Sequence, residues 1–115
     1  MPSRHDEIRV ALSRGFSVDN LRAITKISIE AIQEGHLKHP GVFYAIASIS
    51  RWIADAWDGV AVTTSVALRV EEQIKPSLLS LLESADEDSA EVCRLLDNLT
   101  LAFRDAILLG LDEDF

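Results

Sequence analysis

His36 and His39 stand three residues apart. That is a spacing at which two imidazoles can share a metal ion when two further ligands converge on them. No Cys, Asp or Glu stands at a metal-ligand spacing around the pair, so a polar connector between two helices is the plainer account. The acidic residues raise a second possibility, Mg²⁺ held on carboxylates from facing helices. Such a site needs Glu or Asp at i,i+3 or i,i+4 on inward-facing arcs. Glu30 and Glu34 have the spacing but fall on the polar side of their helix, and Glu71 lies nearer an inner side with Glu72 outside. Glu83, Asp86, Glu87, Asp88 and Glu91 cluster around one turn, where solvation and a helix dipole account for them.

His5-Asp6 resembles the dyad of helical metal-dependent phosphohydrolases, which also require distant His and Asp ligands; a helix N-terminus explains it here. Acid pairs at helical spacing likewise resemble those of nucleotide pyrophosphohydrolases. Cys93 is the lone cysteine and is followed by Arg94. A nearby cation lowers a thiol pKa, but adjacent helical residues point in different directions. G-x-S-x-G, H-E-x-x-H, C-x-x-C and phosphate-cradling glycine loops are absent from the sequence. The residues therefore predict a non-enzymatic protein with no catalytic, cofactor-binding or metal-binding residues, and a metal-dependent nucleotide hydrolase is the outside alternative.

The elements that would carry these residues are all helical. Ser3 caps a first helix over about 4–14, with Asp6 and Glu7 in its first turn and Gly15 ending it. Ser17 opens a second helix, running to about Glu34, with Leu21, Ile24, Ile27, Ser28, Ala31 and Ile32 inward and Gly35 at its end. Pro40 suits the first position of a third helix, reaching Trp57. Its inner arc is Val42, Ala45, Ile46, Ile49, Ile53, Ala56 and Trp57, and Arg51 and Asp55 pair on the outside. A fourth helix begins between Val60 and Ser65, where the β-branched run also allows a short extended piece. Its stripe is Val66, Val70, Ile74, Ser77, Leu78 and Leu81, and Pro76 predicts a kink or a division. Ser84 to Asp88 reads as an acidic loop. Asp88 with Glu91 resembles a capping box for a last helix that Gly110 ends. The prediction is all-α: a single-domain antiparallel bundle of five helices over 1–115, six if split at Pro76.

Composition sets the bounds. The 115 residues are 48% hydrophobic, 26% charged and 6% aromatic, enough to close one core without disulfide or metal. The net charge of −8 disfavours direct contact with nucleic acid or an anionic membrane surface and favours a basic partner. No apolar run approaches a membrane span, and the polar N-terminus lacks a signal-peptide core, so the expectation is cytoplasmic. Arg outnumbers Lys, a bias expected of a GC-rich bacterial or phage gene.

The most distinctive pattern is in the last helix. Val92, Leu95, Leu96, Leu99, Ala102, Phe103, Ala106 and Ile107 share one apolar arc. Leu101 and Leu108, seven residues apart, lie in the middle of the opposite arc with Arg94, Asp97, Arg104 and Asp105. Leucines rimmed by charge read as a contact strip. Trp52, at the edge of the third helix's inner arc, reads either as a rim residue of the core or as an anchor in a contact. Ile29, Leu68 and Leu79 also lie off their main stripes. The interaction candidates are thus Leu101, Leu108, Arg104, Asp97 and Trp52. Two function classes follow. One is a protein–protein interaction module that binds a second copy or a partner helix. The other is a small acidic regulator of the antitoxin or anti-defence type, masking a basic nucleic-acid-binding surface.

Overall fold

The computed structural model describes residues 3–35, 37–85 and 89–106. These form five α-helices and no strand: α1 (Arg4–Ser13), α2 (Val18–Glu34), α3 (Pro40–Trp57), α4 (Thr64–Glu83) and α5 (Ser89–Ala106). The predicted all-α bundle is the observed one.

Local chemistry explains the boundaries. The hydroxyl of Ser3 accepts from the N–H of Asp6, that of Ser17 from Asn20 at 3.1 Å, and that of Thr63 from Val66 at 3.2 Å. Each satisfies a donor left unpaired at a helix start. Pro40 occupies the first turn of α3, where its missing N–H removes nothing. Gly35 ends α2 at φ +79°, a left-handed conformation that side chains disfavour.

The β-branched run before α4 forms no strand: Thr63 is extended, with φ −69° and ψ 151°, and caps α4, which begins at Thr64. Nor does Pro76 divide it, since α4 continues through Pro76 to Glu83. The proline is exposed, so the carbonyl it deprives of a donor lies on the wet side of the helix and can take water instead. The described residues therefore form five helices, with α4 undivided.

One cluster of buried side chains draws on every helix, including Ile8, Leu12, Leu21, Ile24, Ile46, Ile53, Ile74, Leu78 and Leu99. Burial of each such side chain contributes about 1.5–3 kcal/mol. Sequential helices joined by short turns pack together: α1 on α2, α2 on α3, and α4 on α5. The α3–α4 pair departs from that expectation, because α4 meets α3 only narrowly and lies chiefly against α5.

Two sequence expectations need correction. Phe43, Ala47, Ser50 and Ala54 of α3 are buried, whereas Ala45, Ile49 and Ala56 are only half-buried. The reason is that α3 contacts α2, α4 and α5 at once, so its covered arc is wider than a single stripe and is rotated toward α2. The predicted acidic loop at Ser84 starts inside the protein. Ser84 and Ala85 are buried, and the Ser84 hydroxyl donates to the Ser80 carbonyl at 2.7 Å. Asp86 to Asp88, with the predicted capping box, lie outside the described residues, as does Gly110.

Candidate interaction site

Helix α5 buries Val92, Leu95 and Leu99 and half-buries Leu96, Ala102 and Phe103. Asp97, Leu101 and Arg104 lie on its opposite face and are exposed. Leu101 keeps 49% of its surface in water. At about 100° per residue the three share one side of the helix, since they are spaced four and three residues apart. Arg94, on the same side, is held by Glu91, with Nε donating to Oε2 at 3.1 Å; this hydrogen bond raises the guanidinium pKa. Leu108 lies outside the described residues.

Trp52 is brought to α5, but to a different part of it. Its ring meets that of Phe103 edge-on, with centroids 4.9 Å apart and planes at 90°. Phe103 and Leu101 are about 200° apart around the helix. Trp52 is therefore a rim residue that anchors α5 to α3, still 39% exposed, and it does not join the Leu101 strip. This is the rim reading of Trp52; its exposed part is the surface that the contact reading would use.

Several of the residues that could do chemistry are engaged in holding the fold. Glu30 and Glu34 converge with Glu7 on Arg4: Nε donates to Glu34 Oε1 at 2.9 Å, Nη1 to Glu7 Oε2 at 2.9 Å, and Nη2 to Glu30 Oε2 at 3.3 Å. The hydrogen bonds that its guanidinium donates to Glu34 and Glu7 hold the Arg4 pKa above its ordinary range. Glu71, read as nearer the inner side, accepts the backbone N–H of Phe16 at 2.8 Å. His5 is half-buried with its ring edge-on to Phe43, centroids 5.0 Å apart. Among the described residues no three of His, Cys, Asp and Glu gather as a metal site would require. Cys93 is exposed on α5. No helix among them is long and apolar enough to cross a membrane.

The chain matches no family model, no curated protein and no solved structure.

One surface was only hinted at by the sequence. Between α2 and α3 runs an open groove of about 480 Å³, with Arg22, Lys26, Ile29 and Arg51 in its walls. A smaller groove, lined by Ile32 and Tyr44 and sharing Ile29 and Arg51, continues it. The off-stripe position of Ile29 signalled an exposed apolar site. The neighbouring cations left no trace in the sequence pattern, because they come from two helices.

Proposed function

We propose that this protein is a non-enzymatic protein–protein interaction module that pairs with a second copy through the outer face of α5. The observation that carries the reading is Leu101: a leucine 49% exposed, on the side of α5 opposite the buried stripe, between exposed Asp97 and Arg104. An apolar centre with a polar rim is the anatomy of a contact patch. The strip is also self-complementary. If two α5 helices lie antiparallel across a twofold axis, Asp97 of one copy faces Arg104 of the other on both sides of the paired Leu101 residues. A partner helix of similar character is the alternative occupant.

The second reading, a small acidic regulator masking a basic nucleic-acid-binding surface, rests on the net charge of −8, on the acidic stretch of sequence from Glu83 to Glu91, and on Asp112, Glu113 and Asp114. Several of the acids are drawn into local pairs: Glu7, Glu30 and Glu34 on Arg4, and Asp55 and Asp58 on Arg22. Acids spent on internal pairs make a poor phosphate mimic, which leaves the α5 strip as the better-supported reading.

Light scattering across a wide concentration range tests it. The expected mass rises from the 12.7 kDa of one chain toward twice that value. Leu101→Asp is expected to restore the monomer with helical circular dichroism unchanged. A protein that stays monomeric at every concentration removes the self-association reading. Loss of helicity in Leu101→Asp would show that Leu101 supports the core.

A further inference from the structure

The groove between α2 and α3 lies on different helices from the α5 strip and stands independently of it. It runs along α2 from Arg22 to Gln33, three helical turns or about 16 Å. Its apolar side is unusually open: Ile29 is 41% exposed and Tyr44 69%. Ile29 and Tyr44 both line the smaller groove that continues it, and exposed tyrosine is enriched at binding hot spots.

Charge identifies the kind of occupant. The chain carries −8 overall, yet Arg22, Lys26 and Arg51 meet along this one groove with a single acid, Glu30, among its lining residues. Asp55 and Asp58 each bind Arg22 at 3.0 Å, which settles that cation internally. The Glu30 carboxylate is drawn toward Arg4 at 3.3 Å. Lys26 forms no ion pair among the described residues, and Arg51 has only a long contact of 3.6 Å with Asp55. What the groove offers is therefore Lys26 on α2, Arg51 on α3, and the exposed apolar surface of Ile29 and Tyr44 alongside them.

We infer that the α2–α3 groove is a second docking surface, which receives an amphipathic helix of a partner protein whose apolar face is flanked by acidic residues. Apolar anchors at i, i+4 and i+7 span about 10 Å, within the length of the groove. They would cover Ile29 and Tyr44 while the flanking carboxylates meet Lys26 and Arg51. The charges orient the helix and speed the encounter; the buried apolar contacts hold it.

The test uses the intact protein and three probes. One is a short fluorescein-labelled helical peptide with leucines at i, i+4 and i+7 and flanking glutamates. The second carries lysines in place of the glutamates, and the third is labelled polyglutamate. The expected anisotropy result is saturable binding of the first probe alone, weakened by added salt. Lys26→Glu with Arg51→Glu, and separately Ile29→Asp, should each weaken it by about tenfold or more, and Leu101→Asp should leave it unchanged. The double charge variant changes exposed side chains only, and circular dichroism checks that both variants are folded. Absence of saturable binding, equal binding of the lysine peptide or of polyglutamate, or indifference to both variants would overturn the inference. So would self-association that survives Leu101→Asp and is lost in Ile29→Asp, because the groove would then belong to a second copy.

Discussion

The Glu71 carboxylate on α4 accepts the backbone N–H of Phe16 at 2.8 Å, across a separation of 55 residues. It does so beside Gly15, whose φ is +88°. The same turn is gripped from α2, where the Asn20 side-chain amide donates to the carbonyls of Ala11, at 2.7 Å, and Gly15. Two side chains from different helices thus pair with backbone groups of the α1–α2 turn, adding to the bond that the Arg14 N–H already donates to the Ala11 carbonyl. Glu71→Ala is expected to lower unfolding stability by about 1–3 kcal/mol, since it strands a part-buried donor. Glu71→Gln, which retains an acceptor, should lose less. Gly15→Ala should also destabilise, because a Cβ there would sit 3.1 Å from Glu71 Oε1 on a backbone of positive φ. Urea unfolding of the three variants checks the ranking.

The edge-on contact of Trp52 with Phe103 joins α3 to α5. A double-mutant cycle with Trp52→Ala and Phe103→Ala should show a favourable coupling of about 0.5–1.5 kcal/mol beyond the separate losses. Additive losses would mean that the two rings stabilise the protein separately.

Ser50 is fully buried, and its hydroxyl has no hydrogen-bond partner among the described residues. Replacing it with alanine removes the desolvated hydroxyl without changing the backbone. Ser50→Ala should therefore stabilise the protein by about 1 kcal/mol. Ser28 is the internal control. It is equally buried, but its hydroxyl donates to the Ile24 carbonyl at 2.8 Å, so Ser28→Ala should gain less or lose stability. Thermal melts of the two variants decide the contrast.

Arg4 holds three carboxylates from two helices. Arg4→Met keeps much of the apolar stem but leaves Glu7, Glu30 and Glu34 facing one another. The variant should melt lower than the parent, with the gap narrowing as salt screens the repulsion. The Arg4 pKa is raised above its ordinary value, chiefly by the hydrogen bond to Glu34 and then by that to Glu7. A raised basic pKa adds stability that is in place below the unfolded value and is lost only above it. The parent should therefore show no stability change from titration of Arg4 near neutral pH. A melting gap independent of salt would show that the guanidinium acts through packing.

Much of the helix framework was legible because its signals are local. Ser3, Ser17 and Pro40 mark three starts and Gly35 one end, since each satisfies or tolerates its own neighbours' backbone. The outward position of Leu101 followed from helical periodicity for the same reason. Periodicity could not set the width of a buried arc. It placed Ala45, Ile49 and Ala56 inward and missed Phe43 and Ala54, because the number of neighbours around α3 is not encoded in α3. The continuity of α4 through Pro76 was open for a like reason, since it depends on which side of the proline faces water.

By itself the amino-acid order determined that the chain folds as helices, where most of them start, and that α5 carries a leucine on its charged face. These properties are settled over three or four residues by backbone hydrogen bonding and helical geometry. Only the tertiary structure decided that Glu7, Glu30 and Glu34 share one arginine, that Glu71 closes a turn on another helix, and that Lys26 and Arg51 line one groove. Those meetings join residues far apart in the chain, and they exist only once packing has chosen each helix's neighbours.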